Sequence, residues 1–337
     1  METKMTKQTT FRGTALAALL AAAAALPASA ETWRMSTQAS SESFEGQAID
    51  KFAELVETYT DGEIEVRVYP NEQLGKLDTV MDQLGQGVIQ VVSTSVALLG
   101  RYVEAIDYTS APFLFEDYEQ WSRFMNSELV QGWVSEAEEA GNIEVLGDVT
   151  AMPRGSYRVI ASETPVASLE DFDGLRVRQW SNDLMVNAWE HLGAEVRILS
   201  WSEVYDGLNR GLIQAVTSPI ELIEPQKFYE VAPNISRTNE YPQALAFLVN
   251  KDTMEGLSPE MQEAVERAHA EASTFMEDLL DANVEEIVTT LESEGATFVD
   301  LDLGPVVERM DGFYQELDAA GELPDGFLDA VAAARTE

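Results

Sequence analysis

The chain has no cysteine. That excludes disulfides, thiolate metal sites, cysteine nucleophiles and a lipid anchor carried on an N-terminal cysteine. Histidine is nearly absent. His191 and His269 stand alone, neither with a partner at metal-ligand spacing, and both read as surface or packing residues. No Gly-rich phosphate loop and no nucleophile elbow appear, so no cofactor and no metal are expected and nothing marks a catalytic centre. Positive charge is scarce as well: 21 Lys and Arg stand against 60 Asp and Glu, a formal net charge of −39. Beyond residue 30 the lysines are Lys51, Lys76, Lys227 and Lys251. Such a surface repels nucleic acid and anionic lipid. It fits a protein adapted to high salt, where ions screen self-repulsion, or a generically acidic secreted protein. In either case an arginine held inside the fold is informative, because the cationic background is so poor.

Apolar runs are short, and one of them opens the chain. Lys4, Lys7 and Arg12 precede an uncharged apolar stretch from Ala15 to Leu26, and Ala28-Ser29-Ala30 supplies a small-x-small cleavage pattern. This reads as a secretory signal peptide, residues 1–30, cleaved near Ala30. It is too short to span a bilayer, and no later stretch is long and apolar enough to do so. The mature protein is expected free in the periplasm, not inserted in a membrane. Residues 31–337 suffice for two lobes of ordinary size.

Within that mature chain, strand and helix patterns alternate. Ile64, Val66 and Val68 alternate with Glu65 and Arg67, giving a strand with one wet face. Further strands are expected at 32–35, 88–92, 143–146, 157–160, 175–177, 195–198, 212–216 and 244–249. Phe44, Ala48, Phe52, Leu55 and Tyr59 fall at helical spacing. Strands separated by helices predict an α/β protein with largely parallel sheets. Ser258-Pro259 starts a helix whose apolar positions run on towards Leu291, long enough to brace two lobes or to pack within one. The stretch from Leu84 to Ser95 repeats as Leu208 to Pro219: helix end, glycine, apolar run, small hydroxyl residues. Ligands of open parallel sheets bind beyond the carboxyl ends of strands, so Thr94, Ser95, Thr217 and Ser218 line a cleft or serve ordinary turns.

The order of segments resembles the extracytoplasmic solute-binding proteins of TRAP (tripartite ATP-independent periplasmic) transporters. The resemblance rests on Asp61-Gly62-Glu63-Ile64-Glu65-Val66, Tyr69-Pro70-Asn71-Glu72-Gln73-Leu74-Gly75, Ala111-Pro112-Phe113-Leu114-Phe115, and 169–178 with its Gly174-Leu175-Arg176-Val177-Arg178. Leu192-Gly193-Ala194, Ser202-Glu203-Val204-Tyr205 and 226–231 continue it in order. It implies two α/β lobes of the periplasmic binding protein type, type II-like, joined by crossing strands and a long helix. The implied limits are 31–155 plus 244–283 for lobe I, and 156–243 plus 284–337 for lobe II, with the ligand cleft between.

The resemblance also implies a site. The arginine ending the strand, Arg178, forks onto a ligand carboxylate. A second arginine upstream is matched by Arg158. Trp201 stands where an aromatic often stacks on the ligand, and Trp180 faces the same cleft if the strand continues. Ser36, Gln38 and Ser41 follow the first strand, where the other lobe contributes polar contacts. Arg176 is a weaker candidate. The chain departs from the family at Gln90 and Gln214, where an aspartate is common, and in the hydroxyls at Ser95, Thr217 and Ser218. A small or partly apolar acid, or a zwitterion, fits these residues as well as a sugar acid does. The expected partners are a small organic solute and the TRAP membrane subunits, with the receptor a monomer and not an enzyme. A binding protein that reports to a membrane sensor or chemoreceptor has the same fold, and an exported enzyme is the third reading.

Overall fold

The computed structural model describes Met1 and residues 30–336; the hydrophobic leader expected to be a signal peptide lies outside them. Trp33 and Met35 alternate with wetter neighbours along the first strand and are fully buried, so β1 (Glu31–Thr37) forms where one face meets a core. Ser43 then caps a helix, Phe44–Tyr59, whose Ala48, Ile49, Phe52 and Val56 pack on that face. Asp61 and Gly62, both left-handed, turn the chain into β2 (Ile64–Tyr69). Together with β3 (Val91–Thr94), β4 (Ile143–Val145) and β10 (Ala246–Asn250) these strands make a five-stranded sheet in the order β2-β1-β3-β10-β4. A second, six-stranded sheet runs β11-β9-β5-β8-β6-β7. Its strands are β5 (Arg158–Ser162), β6 (Arg176–Gln179), β7 (Glu195–Ile198), β8 (Ala215–Pro219), β9 (Asn234–Arg237) and β11 (Thr297–Val299).

The sheets are mixed, not largely parallel. β1 pairs β2 and β3 in parallel, and β8-β6-β7 are parallel, but β10 lies antiparallel between β3 and β4 and β5 lies antiparallel between β8 and β9. The cause is connectivity. A strand that returns through a helix within its own half runs parallel, whereas β5 and β10 arrive directly from the other half and enter from the opposite end. Their lead-in segments pair with each other: Pro153 bridges Ala244, Arg154 N donates to Gln243 O at 2.8 Å and Leu245 N to Met152 O at 2.8 Å. A two-stranded ribbon therefore joins the halves.

A third link is the 35-residue helix Pro259–Ser293, capped by Ser258. Val265, Ala268, Ala272 and Met276 pack into the first sheet's core, and Leu291 into the second's. The helix thus braces both halves. The expected limits put 284–337 with the second sheet, but the last helix, Phe327–Thr336, packs elsewhere. Phe327 stands edge-on to Phe124 and Tyr108, and Arg123 Nε donates to Ala334 O at 2.8 Å. Among the described residues no helix is long and apolar enough to cross a membrane.

Strands β3 and β8 begin three residues later than the hydrophobic runs suggest. Gly87 and Gly211 are left-handed, and the N–H groups that follow them turn back: Val88 and Ile89 donate to Gln83 O, Leu212 and Ile213 to Gly207 O. The first apolar residue of each run is spent on closing a helix, which leaves Val88 and Leu212 exposed.

Candidate functional site

The two sheets face a cavity of about 200 Å³. Arg178 reaches it from the carboxyl end of β6. The side chain is buried; its Nε donates to Leu199 O at 3.0 Å and its guanidinium lies 5.4 Å from the Trp201 ring centre. Its two terminal nitrogens have no hydrogen-bond or carboxylate partner among the described residues. Burial pulls its pKa down from 12.5 to about 10, with Tyr241 and Glu72 opposing and Arg154 and Arg158 adding to the fall. It is still a cation at neutral pH, held in a dry place with both donors of its outer edge free.

Arg158 is used differently. Its Nε meets Glu240 at 2.7 Å, Nη1 donates to Gln243 Oε1 at 3.1 Å and Nη2 to Thr217 Oγ1 at 3.4 Å. It lies 4.3 Å above the Tyr241 ring. Arg154 is likewise taken, its fork closing on both oxygens of Glu45 at 2.8 and 3.2 Å. These two arginines line the cavity with their charge already matched, which leaves Arg178 as its unmatched cation.

The remaining expected residues divide. Gln38, Thr94, Ser95, Thr217, Trp180 and Trp201 all line the cavity. Ser95 also caps the following turn, accepting from Ala97 N at 3.3 Å, and Trp201 also packs edge-on to Phe228, so each serves fold and wall together. Ser218 is fully buried with its hydroxyl donated to Pro219 O, outside the cavity lining, because the pleat turns it away from Thr217's side. Ser36 is buried against a void of about 10 Å³ shared with Gln38 and Glu72, and Ser41 is exposed outside the cleft. Arg176 lies at the other end of β6, its Nη2 donating to Gly211 O at 3.1 Å. Gln90 and Gln214 are also away from the cavity. Each caps a neighbouring strand, Gln90 Oε1 accepting from Arg34 N at 2.9 Å and Gln214 Oε1 from Arg176 N at 3.2 Å. Their departure from the family pattern therefore pins strands and does not touch the cavity.

Two contacts span the mouth between the halves. Lys76 pairs with Glu203 at 2.9 Å, and Ser202 donates to Glu72, which also accepts from Gln38 Nε2 at 2.8 Å.

The family model described as bacterial extracellular solute-binding protein, family 7 (DctP), matches residues 35–319. The chain belongs to this family. Its members are periplasmic solute-binding receptors, and this chain is a receptor of the TRAP transporter class. The ectoine-binding periplasmic protein TeaA of Halomonas elongata is 32% identical over 231 residues, 67% of this chain and 67% of that protein. The sialic acid-binding protein SiaP of Vibrio cholerae is 27% identical over 304 residues, 90% of this chain and 94% of that one. A crystal structure of a TRAP solute-binding protein from Roseobacter denitrificans with bound L-galactonate superposes with a TM-score of 0.81 at 25% identity, covering 91% of this chain and 100% of that one.

Several wall residues of this family 7 receptor escape a reading of the sequence. Arg154, Tyr241 and Gln243 sit on the crossing ribbon, where no periodic pattern points to a cleft. Glu72 stands inside the Tyr69–Gly75 motif but reads there only as part of a family marker. The one available signal for Tyr241 is a tyrosine beside a proline just before a strand that must change halves.

Proposed function

We propose that the leader exports the chain, that cleavage near Ala30 frees it, and that it works in the periplasm as a monomer. In this reading it closes on a compact organic acid and presents the closed form to TRAP membrane subunits. The lobes we propose follow the two sheets, with the last helix grouped by its contacts with 108–125. The relatives named above bind ectoine or sialic acid, and the superposed structure holds L-galactonate; a carboxylate is common to all three.

The observation that carries the reading is the buried Arg178 with a free outer edge. A guanidinium presents two parallel donors that match a carboxylate, and a charge-assisted bond of that kind contributes about 1.5–3 kcal/mol. Trp180 and Trp201 offer apolar flanks, and Gln38, Thr94, Ser95, Tyr241 and Gln243 offer polar contacts. Arg158 shapes the wall through its pair with Glu240 and does not bind ligand directly. Closure then follows from a ligand that touches both halves, since it favours the state in which all contacts are made.

A thermal-shift screen against small carboxylic acids, sugar acids, amino acids and amines tests this. A ligand of the native state raises the melting point through RT ln(1 + [L]/Kd). A clear shift with an acid that is lost in Arg178→Ala supports the reading. Shifts confined to neutral compounds or carboxylate-free amines contradict it.

A further inference from the structure

A carboxylate on Arg178 accounts for one end of the ligand, and the wall around the other end is not neutral. Glu72 lines the cavity. It sits in a turn where Asn71 and Glu72 are both left-handed, φ 53° and 56°, a conformation glutamate seldom adopts. The turn is held on the end of β1: Asn71 N donates to Ala39 O and Glu72 N to Thr37 O, each at 3.1 Å. The carboxylate is then fixed from both halves, by Gln38 and by Ser202. It has no cationic partner among the described residues. The other cations of the wall are matched, Arg154 by Glu45, Arg158 by Glu240 and Lys76 by Glu203. Asp78, the other lining acid, is exposed at the rim. The cavity therefore presents one free guanidinium and one positioned carboxylate. Of its aromatic rings, Trp201 carries Arg178 and Tyr241 carries Arg158 over the face, while Trp180 carries no guanidinium among the described residues.

We infer that the solute this receptor selects is a zwitterion, with its carboxylate on Arg178 and a cationic nitrogen group set against Glu72 beside Trp180. The inference rests on the reading of Arg178 as carboxylate anchor. Glu72 acts as the specificity determinant: it complements an ammonium, amidinium or quaternary nitrogen, and it repels the second carboxylate of a diacid. Cation–π attraction to Trp180 favours the same ligands.

Isothermal titration of the purified protein, of Glu72→Gln and of Arg178→Ala tests this with four probes: ectoine, glycine betaine, succinate and galactonate. Ectoine carries an amidinium and glycine betaine a quaternary nitrogen, each with one carboxylate. The expected result is that at least one zwitterion binds tenfold or more tighter than succinate and galactonate. Glu72→Gln, whose amide oxygen can still accept from Gln38 and whose NH2 can donate to the Ser202 hydroxyl, should remove at least tenfold of that preference. A wild type that prefers succinate or galactonate overturns the inference, as does a zwitterion preference unchanged in Glu72→Gln, or silence towards all four probes. The two readings fail separately. If Arg178→Ala abolishes binding and Glu72→Gln changes nothing, the anchor stands and the zwitterion selection falls; if Arg178→Ala binds like wild type, the anchor itself falls.

Discussion

Arg158 and Arg178 look alike in the sequence, each near a strand end and each matched to the family. Their surroundings separate them. Arg158 starts β5 beside Glu240, and a buried cation with a carboxylate at 2.7 Å is a structural pair. Arg178 ends β6 against a carbonyl and a ring, which orient it without neutralising it. No periodicity distinguishes the two, because Glu240 comes from a distant crossing segment; that part of the site was not legible before folding. His269 is a residue-scale case with a measurable consequence. It is buried in the long helix against Phe247, and desolvation lowers its pKa from 6.5 to about 4, with Asp148 opposing. Below pH 6.5 the unfolded chain takes up a proton that the fold refuses, so stability falls as pH drops from 6.5 to 4. At 1.36 kcal/mol per unit the loss over that window is roughly 3 kcal/mol. Equilibrium denaturation at stepped pH should show His269→Gln with a flatter decline between these values; an unchanged slope shows that other groups govern it.

At the scale of elements, the internal repeat was legible and its register was not. The glycine, the apolar run and the hydroxyls recur in both halves, and both copies do lead a strand towards the cavity. The three-residue delay at β3 and β8 arises because backbone N–H groups finish capping the preceding helix before pairing begins, a hydrogen-bond requirement that hydropathy does not register. The mixed sheets were missed for a related reason: strand direction depends on which half the chain comes from, and alternation of helices and strands is silent on that. Asn250, at the end of β10, shows how one element is tied to others. Its Nδ2 donates to Leu84 O at 2.9 Å and approaches Asn142 O at 3.4 Å, while its Oδ1 caps the next helix through Thr253 N at 2.9 Å. It is 1% exposed. Asn250→Ala removes a helix cap and one of two donors to Leu84 O, the other being Gly87 N at 2.9 Å, an expected loss of about 1–2 kcal/mol by urea denaturation. A change below a few tenths of a kcal/mol would mean that water or a neighbour replaces these bonds.

The whole molecule is governed by its charge and its two halves. With 60 acidic residues against 21 basic ones, mutual repulsion opposes the compact state, and the surface pairs that relieve it, such as Lys76–Glu203, are exposed and screened by salt. Added salt should therefore raise the melting temperature, since screening relieves more repulsion than it removes attraction. A melting temperature that is flat or falls with sodium chloride contradicts an adaptation to high salt. The two-lobed α/β architecture, the long bracing helix and the family were all legible, because segment order and helix caps are properties of the chain. The pairing of the crossing segments and the matched charges of the cleft were not, because they exist only where distant residues meet.

We propose that a single unmatched guanidinium, that of Arg178, anchors the solute. The most direct test is the dissociation constant of an acid that binds wild type, measured by titration calorimetry against Arg178→Ala and Arg178→Lys. Alanine should weaken binding at least tenfold, in line with the ~2–5 kcal/mol that follows when one partner of a buried charge pair is removed. Lysine, which keeps the charge but lacks the planar fork, should rescue binding only in part. Wild-type affinity in Arg178→Ala would show that the anchor lies elsewhere.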